Sequence, residues 1–302
     1  MRLLRYRGAV LICTCFSMSI FTAISNAQVE SLGMPCYGTS VRALGMGGAS
    51  VAVVGGIGSM LANPAATAKL QQPVATLDFR LNTDNERYFI AGYLKGVELN
   101  KLGGGIVAMW DRDELGIGGR TSHLALMYNL TQTIGAWRGW DIDFGATIKM
   151  HRQRIAGVGS RTNYTFDVGL LGRFAENTWV GFSAINATRP SFNIGAFRKR
   201  DERLLNIGIA HWFDEYTVLA VDVWDLEDST RDVPRGSGIA IRVGLERQIS
   251  PSLSARIGAL DGRLTLGLGF RAFGRNLRVD YAFADRPSGE DDIHMLGFSM
   301  TF

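Results

Sequence analysis

The chain has 302 residues, 46% of them hydrophobic, with 32 Lys+Arg against 28 Asp+Glu. That length suits one large domain or two ordinary ones, and the near balance of charge excludes a basic nucleic-acid footprint. Three cysteines (Cys13, Cys15, Cys36) are too few for a disulfide framework.

The N-terminus reads as an export signal. Arg2, Arg5 and Arg7 form a basic start, Gly8–Ile24 is an uncharged apolar run, and Ser25-Asn26-Ala27 supplies small residues for cleavage. Residues 1–27 hold three arginines and no acid, so the exported chain carries 29 bases against 28 acids. No other apolar run reaches the roughly 18 residues of a membrane-spanning helix. An exported chain of this kind is either water-soluble or a closed membrane barrel.

Residues Arg42–Leu70 are rich in glycine, alanine and small apolar side chains. They read as neither a strand nor a full helix, and are expected to fold into the mouth of a barrel. Ser59–Ala62 is expected to form a short helical turn, and Asn63-Pro64-Ala65 to mark the exit into the first strand. Gly55-Gly56-Ile57-Gly58 invites a dinucleotide-loop reading, but Leu61 stands where the third glycine belongs and no βαβ pattern follows.

From Pro73 onward, period-2 segments alternate with turn residues. They are Val74–Asn82, Arg87–Gly96, Gly104–Asp111, Thr121–Leu130, Trp140–Arg152, Asn163–Phe174, Trp179–Ala187, Arg203–Phe213, Tyr216–Leu226, Gly238–Gln248, Ser252–Leu260, Leu264–Phe273, Asn276–Ala284 and Ile293–Phe302. Fourteen strands without helices between them predict an all-β, antiparallel transmembrane barrel. Its parts are a signal (1–27), a Gly/Ala-rich segment (28–72) and the barrel (73–302).

The faces of these strands support lipid outside. Ile142, Phe144, Ala146, Ile148 and Met150 oppose Asp143, Gly145, Thr147, Lys149 and His151; Leu264, Leu266, Leu268 and Phe270 oppose Thr265, Gly267, Gly269 and Arg271. Long connections such as Arg112–Arg120, Gln153–Thr162 and Thr188–Glu202 alternate with tight turns such as Asp214–Glu215. That is the outer-membrane pattern, with both termini periplasmic. The six tryptophans fall near strand ends and are expected to form an interfacial girdle. The chain stops on Phe302, with Leu296, Phe298 and Met300 on the same face. This resembles the terminal strand that the barrel-assembly machinery recognises during insertion.

Arg42-Ala43-Leu44-Gly45-Met46-Gly47-Gly48-Ala49, followed by Asn63-Pro64-Ala65, resembles the N-terminal signature of the FadL-like outer-membrane proteins. This broad group includes long-chain fatty-acid transporters, the PorV/PorQ proteins and spirochaete FadL-like proteins. Val279-Asp280-Tyr281-Ala282-Phe283 resembles the latter two branches. The resemblance implies a 14-stranded barrel whose N-terminal hatch plugs the lumen, with hydrophobic ligands bound near the hatch. Leu44, Gly45, Met46, Gly47, Asn63, Pro64 and Ala65 are therefore the candidate ligand and hatch residues.

No cofactor or metal is expected. His123, His151, His211 and His294 have no metal-ligand spacing. Ser122-His123, and His294 near Ser299, lack the setting of a catalytic nucleophile, so the chain is read as a non-enzyme. The charged residues expected on the lumenal face are Asp143, Lys149, Asp167, Arg173, Asp222, Arg242, Glu246, Arg256, Arg271, Arg278 and Asp280. They are expected to pair across the interior. Arg189, Arg198, Lys199, Arg200 and Arg203 make the loop Thr188–Glu202 basic. The leading expectation is passive uptake of a small hydrophobic or amphipathic molecule, such as a long-chain fatty acid, across the bacterial outer membrane. The alternative is a PorV-like scaffold with a secreted or surface protein as partner. Outer-membrane lipid is a partner on either reading.

Overall fold

The structure is a computed structural model that describes residues 40–81, 87–98, 102–115, 119–137, 139–195, 197–230, 238–272, 276–285 and 292–302. The expected signal peptide lies outside the described residues.

Fourteen antiparallel strands close into one barrel. In chain order they are β1 (Val74–Arg80), β2 (Arg87–Lys95), β3 (Gly103–Leu115), β4 (Gly119–Trp137), β5 (Trp140–Ile155), β6 (Gly159–Ala175), β7 (Thr178–Ile185), β10 (Leu204–Asp214), β11 (Thr217–Trp224), β12 (Ala240–Ser250), β13 (Leu253–Leu260), β14 (Arg263–Ala272), β15 (Leu277–Ala284) and β16 (Ile293–Thr301). β1 closes the ring on β16, from Val74 opposite Thr301 to Arg80 opposite Met295. Two short strands, β8 (Ser191–Ile194) and β9 (Phe197–Arg200), form a separate hairpin between β7 and β10.

The side-chain period of two sorts the wall as expected. In β5, Asp143, Thr147, Lys149 and His151 are buried while Phe144 and Ile148 are exposed. In β14, Leu264, Leu266, Leu268 and Phe270 are exposed and Thr265 is buried. The exterior is thus a band of large apolar side chains around a ring with no free edge, the form in which strands cross lipid.

Three expectations are corrected here. First, β3 to β6 run longer than the alternation suggested, to 13, 19, 16 and 17 residues. The expected loop Gln153–Thr162 is mostly strand, because Gln153 and Ile155 face inward and Ile155 still pairs with Gly159. Both faces are polar there, so no apolar alternation marks the strand. Second, the expected loop Thr188–Glu202 contains the β8–β9 hairpin, with Phe192 and Ile194 buried. Third, Asn63-Pro64-Ala65 does not lead straight into β1. Pro64 opens a 3-10 helix, Pro64–Lys69, where its missing N–H costs nothing, and the Asn63 side chain caps it by accepting from the Ala65 N–H.

Before β1 the chain runs through the lumen. Ser40 caps helix α1 (Val41–Gly45), a turn follows, and helix α2 (Gly56–Ala62) leads to the 3-10 helix. Helical structure here is more extensive than the sequence suggested, since α2 spans seven residues. Most side chains of this segment are buried, and it lies inside the barrel as well as at its mouth. It touches β1 and β2 on one side, β4 to β6 on another, and β13 to β16 on a third.

Candidate functional site

The lumen has two unlike halves. Along β5 to β14 the wall is notched with glycine and mixes polar side chains with buried apolar ones such as Leu171, Val218 and Trp224. The segment lies there backbone against wall. The Asp222 carboxylate on β11 accepts from the Ser50 and Val51 N–H groups at 2.6 and 2.9 Å. Thr265 on β14 accepts from the Gly47 N–H at 2.9 Å. Asn63 donates from one amide to the carbonyls of Val51 and Leu170, both at 2.9 Å. Asn129 on β4 donates to the Pro64 carbonyl at 3.2 Å. Arg42 holds Glu246 on β12 through two nitrogens at 2.8 and 3.0 Å and also donates to the Val54 carbonyl at 3.0 Å. Outside this arc, the Val41 N–H reaches Asp78 on β1 at 3.0 Å. Hydrogen bonds to charged groups are worth about 1.5–3 kcal/mol each, so these contacts fix the segment firmly.

Glycine makes the close approach feasible. A Cβ on Gly145 would stand 2.3 Å from the Pro64 carbonyl carbon, one on Gly169 1.9 Å from the Asn63 amide oxygen, and one on Gly181 2.2 Å from the Val51 carbonyl oxygen. Further round, a Cβ on Gly244 would meet the Met46 carbonyl oxygen at 2.2 Å. Gly47 itself has φ of +63°, and a side chain there would strike the carbonyls of Ala259 and Val243.

The other half, β15 and β16 through β1 to β4, carries a large apolar patch on its inner face, beside the buried Asp78, Asp111, Asn129 and Asp280. Ile90 and Leu94 of β2, Val107 and Met109 of β3, Met127 of β4 and Met295 of β16 form one buried cluster with Leu44, Ile57, Met60 and Leu61 of the segment. Among the described residues, no hydrogen bond joins residues 56–62 to this wall. Helix α2 rests there by apolar contact alone.

Below the segment, at the end of the barrel where Pro73 and Phe302 meet, is a chamber of about 580 Å³. Val41, Ile57 and Val74 line it on the apolar side; Arg42, Lys69, Arg271 and Arg278 bring cations to the other, with Asp78 and Asp280. Arg278 is paired with Asp280 at 3.0 Å and Arg42 with Glu246. Among the described residues no carboxylate pairs with Arg271.

Of the expected hatch residues, Leu44 joins the apolar cluster, while Gly45, Met46, Gly47, Asn63, Pro64 and Ala65 lie against the polar half. The lumenal charges are brought together in networks. Lys149 pairs with Asp167 at 2.6 Å and donates to Asn186 at 2.6 Å. Arg256 bridges Glu246 and Asp280, the latter at 2.8 Å. Arg242 stacks on Trp224 with its guanidinium carbon 3.9 Å from the ring centre. Arg173 stands opposite Trp179 on the inward side, but at the exposed end of β6 it donates to the Glu176 carbonyl instead of pairing with a carboxylate across the interior. Phe302 is exposed and its N–H closes on the Pro73 carbonyl at 3.1 Å.

The aromatic girdle is corrected as well. Trp224 is buried and donates to Asp222, Trp179 lies under the Lys69 ammonium, and Trp212 lines the chamber, so all three face inward. Tryptophan serves the lumen here because its ring stacks on cations. The exterior aromatics include phenylalanines and tyrosines such as Tyr93, Tyr128 and Phe166, with Trp110 beside Phe89 near the outer end.

Ser122 and His123 point to opposite faces and make no catalytic pair; His123 instead meets Asp111 at 3.1 Å and the His151 ring at 5.3 Å. His294 meets the Tyr281 hydroxyl at 2.7 Å on the exterior. Among the described residues no group of three or more His, Cys, Asp or Glu is arranged to hold a metal ion. Sequence reasoning missed Asn129, did not pair Arg42 with Glu246, and did not connect Asp78 or Asp222 to the segment. The available signal was a carboxylate at mid-strand on a face otherwise made of small residues.

No protein-family model matches this sequence, and no curated protein matches it. Solved structures do. The toluene transporter TodX of Pseudomonas putida is 13% identical, with 92% of this chain and 99% of that one covered at a TM-score of 0.64. The toluene transporter TbuX of Ralstonia pickettii is 12% identical, covering 89% and 99% at 0.63. A FadL homologue of Pseudomonas aeruginosa is 10% identical, covering 92% and 99% at 0.59. The chain has the FadL-like barrel fold.

Proposed function

We propose that this barrel lets a small hydrophobic or amphipathic molecule, such as a long-chain fatty acid, cross the outer membrane passively, with the lumenal segment as its hatch. The observation that carries this reading is the asymmetry of the lumen. The segment is anchored by hydrogen bonds and glycine contacts along β5 to β14, whereas α2 lies loose against an apolar wall. An apolar molecule entering between α2 and β2 to β4 replaces one apolar contact by another and breaks no hydrogen bond to the wall. Methionine is abundant on this path (Met60, Met109, Met127, Met295), and its unbranched side chain adapts to different shapes. The toluene transporters of the same fold support an apolar cargo.

The chamber below supports an anionic head group on that cargo. Arg271 faces it without a carboxylate partner among the described residues. Uptake into proteoliposomes, measured side by side for toluene and a labelled long-chain fatty acid, tests both parts. Arg271→Ala is expected to slow the fatty acid and leave toluene unchanged. Uptake of neither solute by the intact protein contradicts the transport reading. The scaffold alternative calls for an apolar patch on the outer loops, but Phe192 and Ile194 of the outer hairpin are buried.

A further inference from the structure

On the outside of the barrel, at the end opposite the chamber, one sector of the wall carries a row of arginines. Alternation turns Arg87, Arg112, Arg152 and Arg154 outward, since Tyr88, Asp111, Gln153 and Ile155 beside them are buried. The register sets them side by side: Arg87 is opposite Arg112, Arg112 opposite Ser122, and Ser122 opposite Arg154. One step down each strand, Phe89 is opposite Trp110, Trp110 opposite Leu124, and Leu124 opposite Arg152. Between them Trp110, Ser122, Leu124, Arg152 and Arg154 line a recess of about 190 Å³.

Among the described residues none of the four arginines pairs with a carboxylate, and neither row contains an acid. Like charges directly opposite on neighbouring strands destabilise a sheet, so the pairing of Arg87 with Arg112 calls for an external anion. Below the arginines the same strands present Leu126, Tyr128 and Ile148, all exposed and apolar. On the opposite wall the corresponding strand ends carry uncharged Ile239, Leu264 and Phe283. A ligand that fits has phosphate at the level of the arginines and acyl chains along the wall beneath. Guanidinium groups hold phosphate in a bidentate way that a simple surface charge does not.

We propose that the outer ends of β2 to β5 form a binding site for a phosphate-bearing glycolipid of the surrounding leaflet. The site is separate from the lumenal path. Its test is native mass spectrometry of the full chain with diphosphorylated lipid A, the same lipid A without phosphate, and phosphatidylglycerol. The protein is expected to retain the diphosphorylated form at least about tenfold better than the dephosphorylated one. The triple variant Arg112→Gln, Arg152→Gln, Arg154→Gln is expected to lose that preference. Arg161→Gln, which removes a charge from the inward face of the same rim, is expected to keep it. Equal retention of both forms of lipid A by the unaltered protein overturns the proposal, whether or not the variants fold. Equal retention of phosphatidylglycerol, or full retention by a triple variant that keeps its heat-modifiable mobility, overturns it too.

Discussion

The two halves of the lumen differ in how they hold the same stretch of chain. On β5 to β14, glycines let backbone approach backbone, and carboxylates, amides and a hydroxyl meet the segment's own polar groups. On β15 to β4, large side chains meet Ile57, Met60 and Leu61 with no polar contact. One half is specific and costly to disturb; the other is apolar and adaptable. The proposed hatch, which would stay attached and still yield to an apolar solute, uses both.

The strongest way to break the comparison is to leave a charge unpaired in the polar half. Lys149→Met strands the buried Asp167 and is expected to cost about 3–5 kcal/mol. Urea unfolding in detergent micelles reads that loss, and adding Asp167→Leu is expected to recover most of it. If Lys149→Met is neutral, the polar half is not what stabilises the barrel interior.

Next comes the glycine contact. Gly169→Val drives a side chain into Asn63 and Pro64. The barrel wall is expected to survive while the segment shifts, so ion conductance in planar bilayers rises well above that of the unaltered protein. Val107→Ala, on the apolar half, is expected to leave conductance unchanged. Equal conductance for the two variants removes the distinction between the halves.

The smallest effect lies outside the lumen. Glu227, in the outer loop after β11, accepts from Arg203, and that hydrogen bond together with the nearby Arg189 holds its carboxyl below the usual range. A depressed value stabilises the folded loop above the ordinary glutamate pKa, and the benefit fades as pH falls toward the folded value. The protection of residues 225–230 against hydrogen exchange, taken relative to the intrinsic rate at each pH, is therefore expected to be flat from neutral pH down to about the unperturbed value near 4 and to fall below it. The lumenal halves should not respond in step.

Much of this architecture was legible in the residues. All fourteen barrel strands were found, because lipid on one side and a lumen of small residues on the other force a period of two. The segment around Gly45 and Asn63 was expected at the mouth of the barrel, and it lies inside the lumen as well. What escaped has physical reasons. In Tyr88–Leu94 and Gly105–Trp110 both faces are apolar, so alternation cannot say which residues meet lipid and which meet α2. The apolar half of the lumen was hidden by that. Glycines such as Gly169 read as small, but not as docking points, since their partners lie about a hundred residues earlier. The inward turn of Trp224 depends on Arg242 on the next strand, a pairing that only register reveals. The outer Arg154 looked like loop because strand outside the lipid band needs no apolar face.

The proposed path runs between α2 and the apolar wall. Uptake of labelled toluene into proteoliposomes carrying Met109→Asp tests this most directly, with heat-modifiability confirming a folded barrel. A carboxylate in that seam is expected to cut uptake at least about tenfold, since burying a charge without a partner is costly. Uptake at the rate of the unaltered protein, in a folded Met109→Asp barrel, contradicts the account.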